Sequence, residues 1–325
     1  MKKDIVHFTH NDLDAIGCML NLHIATPNFT KITYHTNYKD IVQKSNDIMT
    51  YITQNNISTL VITDISFSEN KEILEEFWKV CQRYNINMIH IDHHIYPDNF
   101  FDDIKWIYRH DISKSATILT QEFFKTKGIN KSLDNLSDII NVFDIWLQTD
   151  KLFPSSLKLD WGFHIYIENK SLDILCAEII DNNYKLPSQY IKILEPYNET
   201  VVSKIQNYRK RNLITNDGFV TLAFVDDIYN NILYEEFSKK IPIIVIINSY
   251  GIIRFRFNSV YELPLKTRQT IRSIILKDKI IGHINAFSIK VENSNFNKIM
   301  DKIKDIITIL VPFRDEYLKE QKTNF

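Results

Sequence analysis

Strand-like and helix-like patterns of hydrophobic residues alternate through the first 150 positions of the chain. Short apolar runs that predict strands are separated by longer segments whose apolar residues have helical spacing. The predicted strands are 4–9, 31–36, 58–63 and 86–91, and the predicted helices are 14–25, 38–54, 69–84, 113–127 and 132–148. Because strands that alternate with helices form right-handed βαβ units, the pattern predicts an α/β fold with a parallel sheet.

Residues 150–186 have a less regular pattern, and a helical segment follows them. Leu186-Pro187-Ser188 is typical of a helix start, and we expect Pro196 to kink or divide the helix. Beyond it, the pattern predicts strands 219–225, 242–248, 252–258 and 286–292, and helices 230–240, 265–277 and 294–310. We therefore predict a first domain over residues 1–186, a helical linker over 187–213 and a smaller α/β domain over 214–325.

The composition is that of an ordinary globular protein, with 325 residues, of which 44% are hydrophobic and 24% charged. The most apolar stretch, Ile241–Ile247, is too short to span a bilayer, and the first residues do not resemble a signal peptide. Cys18, Cys81 and Cys176 are scattered, which favours reduced thiols over a disulfide framework. We expect a cytoplasmic protein.

The net charge of −1 gives no electrostatic reason to expect a protein that coats duplex nucleic acid. The charges are nevertheless unevenly placed, because residues 1–150 hold 14 Lys/Arg against 20 Asp/Glu. Residues 252–290, in contrast, hold 8 Lys/Arg against 2 Asp/Glu. An acidic region that collects cations and a basic region that collects anions would suit a phosphate substrate, but two ordinary solvated surfaces would have the same composition.

Three of the predicted strands lead directly into histidine and aspartate residues. These residues are His10, Asp12, Asp14, Asp64, Asp92, His93 and His94. The carboxyl ends of parallel strands meet at the sheet edge where ligands bind. Carboxylates with imidazoles and no thiolate suit Mn²⁺ or Mg²⁺, and two such ions can activate a water for attack on a phosphoryl group.

A further candidate ligand, Asp144, lies on the predicted helix 132–148. Helical projection places it beside Ile140 at the edge of the apolar stripe, where a charge needs a partner. A metal ion would serve, and an ion pair with Lys or Arg is the alternative. Asp64 ends a nearly all-apolar strand, where a buried carboxylate is costly without a cation or hydrogen bonds.

Together these residues resemble the four motifs of the DHH phosphoesterase superfamily, in its oligoribonuclease-like or nanoRNase-like branch with a DHH-associated domain. The motifs here are His10-x-Asp12-x-Asp14, Asp64, Asp92-His93-His94 and Asp144. The resemblance implies a parallel-sheet catalytic domain joined by a linker to a smaller associated domain, with the active site in the cleft between them.

The resemblance also implies roles for these residues. One Mn²⁺ would be held by His10, Asp12 and Asp64, and a second by Asp14, Asp64, His93 and Asp144. Mg²⁺ or Co²⁺ could substitute. Asp92 would support the metal site, and His94 would contact the scissile phosphate or help to protonate the leaving group.

The C-terminal half resembles the family less closely. Residues 280–286 match a Gly-Gly-His-x-x-Ala segment at Gly282, His283 and Ala286, but isoleucines replace the leading glycines. Arg256 stands where family members have an arginine late in a strand, without the flanking serines. The resemblance implies that Arg256 and His283 contact a phosphate or the 3′ end of the substrate, with Gly282 and Asn285 beside them.

Several other residues have two interpretations. Ser115 opens a predicted helix, where it could help to bind a phosphate or simply cap the helix. Arg268 and Arg272 could line the substrate cleft or form a solvated face. His7 is predicted to be a core histidine and Cys18 a buried small residue. Weak candidates for base stacking are Phe255, Phe257 and Tyr261.

The expected function is that of a manganese-dependent phosphodiesterase that hydrolyses short single-stranded oligonucleotides or dinucleotides to 5′-mononucleotides. The near-neutral charge favours a short substrate over a long polyanion. The alternatives are a single-strand-specific DNA exonuclease, a phosphatase or pyrophosphatase of the same superfamily, and a nucleotide-binding protein without turnover. We expect no membrane and no obligate protein partner, and a homodimer stays open.

Overall fold

The structure is a computed structural model of the chain. It describes residues 4–133, 135–210, 214–217, 219–224, 241–247, 252–257, 263, 265–276, 286–291 and 296–323. The chain forms two compact units, of which the first comprises Met1–Ile145 and Ile165–Ile191, and the second Trp146–His164 and Lys192–Phe325. Residues 146–164, which the predicted first domain included, thus group with the second unit.

A five-stranded parallel sheet forms the centre of the first unit, which confirms the predicted α/β fold. Its strands are β1 (Asp4–Thr9), β2 (Lys31–His35), β3 (Ile57–Thr63), β4 (Asn87–Asp92) and β5 (Ile107–His110), in the order β2-β1-β3-β4-β5. Four of them match the apolar runs. The pattern missed β5 because this edge strand has four residues, of which three are exposed.

Helices cover both faces of this sheet, which explains why its strands are nearly continuous apolar runs. The helices up to residue 181 are, in chain order, α1 (Leu13–Ala25), α2 (Ile41–Gln54), α3 (Lys71–Tyr84), α4 (Ala116–Lys125), α5 (Asn135–Asp144), α6 (Phe153–Asn169) and α7 (Leu172–Asp181), of which α6 belongs mostly to the second unit. Phe8 and Ile62 point to the face covered by α2 and α3, where Phe77 packs. Val61 points to the other face, which carries α1 and α4.

Gly17 is required where α1 crosses α4. A Cβ atom at this position would lie 1.9 Å from Oγ1 of Thr117, far inside van der Waals contact. The absence of a side chain therefore lets α1 and the first turn of α4 approach closely.

The second unit contains a mixed sheet. Its strands are β6 (Ile214–Asn216), β7 (Val220–Phe224), β8 (Ile243–Ile247), β9 (Ile252–Phe257) and β10 (Ala286–Lys290), in the order β10-β9-β8-β7-β6. Only β7 and β8 are parallel neighbours among these strands. The helices α10 (Leu265–Leu276) and α11 (Phe296–Thr323) pack Ile271 and Ile303 against Phe255 and Phe257.

The helical segment predicted after residue 186 divides at Pro196, as expected. It forms α8 (Ser188–Leu194) and α9 (Tyr197–Lys210). The predicted helix 230–240 lies outside the described residues. Among the helices that the structure describes, none combines the length and apolar character that crossing a membrane requires.

Candidate metal centre

Three of the predicted metal ligands follow the strands on either side of the point where the strand order reverses. From β1 the chain moves outward to β2, and β3 then pairs with the opposite side of β1. In open α/β sheets, ligands bind at this switch point, at the carboxyl ends of the strands. The loop after β1 carries His10 and Asp12, and Asp64 directly follows β3.

The structure brings all of the predicted motif residues into three overlapping groups. Within each group the potential ligand atoms lie within 4.8 Å of one another. The groups are His10, Asp12 and Asp64; Asp14, His93 and Asp144; and Asp64, Asp92, His93 and His94. Asp64 and His93 each belong to two groups, and a carboxylate such as that of Asp64 can be a ligand shared by two ions.

The first motif is held at the start of α1. Asp12 is the N-cap of this helix, and its Oδ1 accepts a hydrogen bond from the backbone N–H of Ala15 at 3.0 Å. Its Oδ2 lies 2.6 Å from Nδ1 of His10. Burial lowers the pKa of His10, but the charge and hydrogen bond of Asp12, with Asp144 and Asp14, raise it overall. The local fold thus points both side chains towards the acidic cluster.

Asp14 is buried against the N-terminus of α4. Its two carboxylate oxygens accept hydrogen bonds from the backbone N–H groups of Ala116, at 2.8 Å, and Thr117, at 2.9 Å. Burial raises the pKa of Asp14, and this rise is larger than the decrease that the charge of His93 causes. The partial positive charge at the helix N-terminus nevertheless favours the carboxylate. These bonds join residues about a hundred positions apart in the chain and fix the orientation of the carboxylate.

Ser115 is the N-cap of α4. Its side chain is buried and accepts a hydrogen bond from the backbone N–H of Ile118. Its own backbone N–H donates to Oδ1 of Asn141 at 2.8 Å. The first N–H groups of α4 are therefore used by Asp14 and Ser115, and the phosphate contact of Ser115 stays a prediction.

Asp64 has a strained backbone and a carboxylate with one unsatisfied oxygen. Its φ angle is +56°, in the left-handed region, and its Oδ2 has no hydrogen-bond partner among the described residues. Burial raises the pKa of Asp64 well above its usual range, and the charges of Asp12, Asp14 and Asp144 raise it further. Strain of this kind persists where surrounding structure enforces it, often at functional sites.

Asp144, the last residue of α5, is in a similar situation. Its Oδ2 lies 3.3 Å from Nδ1 of His93 without forming a hydrogen bond, and burial raises its pKa well above the usual range. Buried carboxylates that repel one another and keep unused oxygens need positive charge. Because carboxylate and imidazole donors suit hard to borderline divalent ions, the donor set fits Mn²⁺ or Mg²⁺.

Asp92 is fully used by hydrogen bonds. Nδ1 of His94 donates to its Oδ1 at 2.8 Å, and the hydroxyl of Tyr96 donates to its Oδ2 at 2.5 Å. Burial raises the pKa of Asp92, but His94 lowers it below the usual range overall. The second nitrogen of His94, Nε2, lies 2.7 Å from the hydroxyl of Tyr38, within hydrogen-bond distance.

Sequence reasoning missed both of these tyrosines. A signal for Tyr38 was present, because it lies in the loop after β2, which ends at the same edge of the sheet as the motif strands. Tyr96 follows Asp92 by four positions in a loop, and nothing in the spacing indicated that its ring would turn back towards the carboxylate.

His7 and Cys18 have the structural roles that the sequence predicted. His7 is buried, and its Nε2 lies 2.8 Å from Oγ1 of Thr63. Cys18 is a buried free thiol beside Thr120.

In the second unit, Arg256 lies on β9 with its guanidinium group over the indole ring of Trp146, 4.7 Å from the ring centroid. Phe255 and Phe257 are each 1% exposed and belong to the hydrophobic core, so their prediction as base-stacking residues is wrong. Nε of Arg268 donates to the carbonyl of Leu263 at 3.1 Å. Outside the described residues lie Gly282, His283, Asn285 and Tyr261.

Comparison with known proteins gives structural matches only. No family model matches the chain, and no curated protein matches it either. RecJ from Thermus thermophilus, solved in complex with Mn²⁺, is 9% identical with a TM-score of 0.58, over 92% of this chain and 51% of the RecJ chain. This chain thus spans about half of that RecJ.

Two further structures match along most of their own length. An exonuclease RecJ bound to manganese is 9% identical with a TM-score of 0.55, over 92% of this chain and 89% of the other. The pGpG-specific phosphodiesterase PggH from Vibrio cholerae is 13% identical with a TM-score of 0.52, over 95% and 99%. This chain therefore has the fold of these RecJ and PggH structures, in agreement with the fold that its motifs predicted.

Proposed function

We propose that this protein is a metal-dependent phosphodiesterase that hydrolyses short single-stranded oligonucleotides or dinucleotides to 5′-mononucleotides. The observation that carries the proposal is the buried carboxylate of Asp64, whose Oδ2 has no hydrogen-bond partner among the described residues although Asp12, Asp14 and Asp144 surround it. A divalent cation at this position would neutralise the cluster and use the free oxygen of Asp64. The shared fold supports the same activity, since two neighbours are an exonuclease and a pGpG-specific phosphodiesterase.

The residues divide into two ligand sets that share Asp64. One set is His10, Asp12 and Asp64, and the other is Asp14, Asp64, His93 and Asp144. Two divalent ions bound there would lower the pKa of a shared water and stabilise the charge of the phosphoryl oxygens. Mn²⁺ is the first candidate because both RecJ neighbours contain it, with Mg²⁺ or Co²⁺ as substitutes.

The chain itself orients these ligands before any substrate binds. The backbone of α1 holds Asp12, and the backbone of α4 holds both oxygens of Asp14. Asp92 fixes the proton of His94 on Nδ1, because an ionised carboxylate can only accept a hydrogen bond. This preorganisation lets the site act on a phosphoryl group without spending binding energy on ordering its own side chains.

A product ladder tests the proposal. End-labelled RNA and DNA of 2 to about 20 nucleotides, including linear pApA and pGpG, would be incubated with Mn²⁺ and the protein. We expect nucleoside 5′-monophosphates from the shortest substrates. Asp64→Asn should abolish turnover, whereas Asp47→Asn should not, because Asp47 is an exposed aspartate on α2 that pairs with Gln43.

Other outcomes would favour the other functions. Degradation of long single-stranded DNA with steep salt dependence would indicate an exonuclease. Release of orthophosphate would indicate a phosphatase or pyrophosphatase. Tight binding of dinucleotides without any product, with Mn²⁺ present, would contradict an enzymatic function and indicate a nucleotide-binding protein.

A further inference from the structure

Tyr38 brings an aromatic ring to the candidate metal centre. It lies in the loop between β2 and α2, and the order β2-β1-β3-β4 places the ends of β1 and β3 between this loop and His94, which follows β4. The hydroxyl of Tyr38 is 2.7 Å from Nε2 of His94. The centroid of its ring lies 5.2 Å from that of His10 and 6.0 Å from that of His94. The ring therefore borders two of the residues that the motifs assign to the site.

The two ends of the Tyr38 side chain have different surroundings. Burial, followed by the charges of Asp64 and Asp92, raises the pKa of the hydroxyl well above its usual range, which places the hydroxyl end at the acidic cluster. The residue is nevertheless 49% exposed. Because the hydroxyl points inward, the exposed surface includes the aromatic ring. A tyrosine whose polar tip is held inside and whose ring is open to solvent offers an apolar face to a ligand.

Hydrogen bonds on both sides of Tyr38 hold its loop in place. The N–H of Thr36 donates to the carbonyl of Thr9 at 3.0 Å, which ties the loop to the end of β1. The N–H of Asp40 donates to the carbonyl of Asn37 at 3.0 Å and closes a turn around the tyrosine. The ring is thus ordered before a ligand arrives, which reduces the conformational entropy that binding costs.

The charges near the ring determine which part of a nucleotide can lie on it. The nearby carboxylates of Asp64 and Asp92 would repel a further phosphate at the ring, whereas the phosphate at the metal ligands would be neutralised by the ions of the proposed function. An uncharged base is not repelled, and aromatic side chains stack on bases in sites that bind single strands. Two of the residues predicted to stack, Phe255 and Phe257, are each 1% exposed and cannot reach a base.

We propose that the exposed ring of Tyr38 stacks on the base of the nucleotide whose 5′-phosphate lies at the metal ligands. This assignment rests on the proposed function, and it names the group that contacts the nucleobase. Since every base has a π face, stacking tolerates any base. The contact therefore favours nucleotides over other phosphate esters without selecting a sequence.

A comparison of ligands with and without a base tests this contact. Adenosine 5′-monophosphate carries a base and ribose 5-phosphate does not, and calorimetry on the Mn²⁺-loaded protein gives the ratio of their dissociation constants. Because both ligands bind through the same phosphate, an effect of a substitution on the metal ions or on His94 cancels in this ratio. Tyr38→Leu should reduce the preference for adenosine 5′-monophosphate about tenfold, whereas Tyr38→Phe, which keeps the ring, should retain it.

Tyr84→Leu is the matched control for the loss of an exposed tyrosine ring. Tyr84 is 44% exposed, close to the value of Tyr38. It ends α3 just before β4 begins, at the edge of the sheet opposite to the candidate ligands. This variant should keep the wild-type ratio. In turnover of a linear dinucleotide, KM should rise about tenfold in Tyr38→Leu with a smaller change in kcat, because stacking contributes to substrate binding.

Three results would overturn the assignment. The first is a wild-type protein that binds the two ligands equally well. The second is a Tyr38→Leu variant whose ratio equals that of Tyr84→Leu, which includes the case in which Tyr38 contacts the base of the neighbouring nucleotide. The third is an equal loss in Tyr38→Phe and Tyr38→Leu, because the hydroxyl and not the ring would then be the contact. If the wild type hydrolyses no oligonucleotide, the proposed function fails, and the ratio of dissociation constants still decides whether Tyr38 stacks on the base.

Discussion

Replacing Asp64 with asparagine should separate the stability of the protein from its binding of metal. In the metal-free protein, the carboxylate of Asp64 lies within 4.8 Å of that of Asp12 and has further repulsion from Asp14 and Asp144. Two unit charges at this distance repel by about 3.5 kcal/mol at an effective dielectric constant of 20. Proton uptake by Asp64 relieves part of this repulsion. Without metal, we therefore expect the free energy of unfolding of Asp64→Asn to be at least that of the wild type, and up to about 1–3 kcal/mol higher.

The sign of the pH dependence follows from the raised pKa of Asp64. Below the pKa of 3.8 that the carboxyl has in an unfolded chain, the group is protonated in both states and costs nothing. As the pH rises above that value, the unfolded chain loses its proton first, so the penalty on the folded wild type grows. The asparagine variant lacks this penalty, and its advantage without metal should therefore be larger at neutral pH than at acidic pH.

Metal should reverse the order of stability. Mn²⁺ at 100 times its dissociation constant should stabilise the wild type by about 2.7 kcal/mol and the variant much less. The backbone of residue 64, with φ of +56°, tolerates asparagine, whereas Asp64→Ala should lose a further amount of about 1–2 kcal/mol. Comparing the two variants separates the backbone strain from the charge.

Urea unfolding followed by circular dichroism, with EDTA or with Mn²⁺, measures these differences, and Asp47→Asn serves as the control. A contradicting result would be an Asp64→Asn variant whose free energy of unfolding in EDTA is lower than that of the wild type by 2 kcal/mol or more (about 30-fold in the unfolding equilibrium), and which Mn²⁺ stabilises as strongly as the wild type. That result would mean that Asp64 stabilises the fold by direct contacts and binds no ion.

Three more predictions follow from single contacts. Burial, with a smaller contribution from the charge of His35, lowers the pKa of His7 to about 3. Below the usual pKa of 6.5 the histidine of the unfolded chain takes up a proton, whereas the buried histidine does not. The contribution of His7 to the free energy of unfolding is therefore highest above pH 6.5 and is lost as the pH falls towards 3. His7→Phe should flatten the pH dependence of the free energy of unfolding between pH 4 and 6 by about 1.4 kcal/mol per pH unit, and an unchanged slope in urea titrations would contradict the assignment. Gly17→Ala should destabilise the protein by about 1–3 kcal/mol in thermal unfolding, because its Cβ would collide with Thr117; a wild-type melting temperature would show that α1 and α4 can separate at no cost. Arg256→Ala should raise KM for a dinucleotide with little change in kcat, and a large loss of kcat with unchanged substrate affinity would exclude a binding role.

The alternation of apolar runs along the chain was sufficient to predict the parallel sheet and the position of most of its helices. Helices on both faces of the sheet bury its central strands, so the strands are nearly all apolar and easy to recognise. The ends of β1, β3 and β4 were equally visible, because each ends in polar residues directly after a buried run. Since parallel strands end at one edge, their sequence positions alone predicted that His10, Asp64 and His93 would meet.

Other features depended on contacts between distant parts of the chain. The bonds from Asp14 to α4 and from Tyr38 to His94 join segments that are far apart in sequence, and only the order of strands and the packing of helices bring them together. Strand order also makes β5 an exposed edge, where an apolar run is not required. Local periodicity thus determined the elements and the edge at which the ligands gather, whereas the pairing of individual side chains at that edge was decided by tertiary structure, because hydrogen bonds depend on distances that spacing along one segment does not encode.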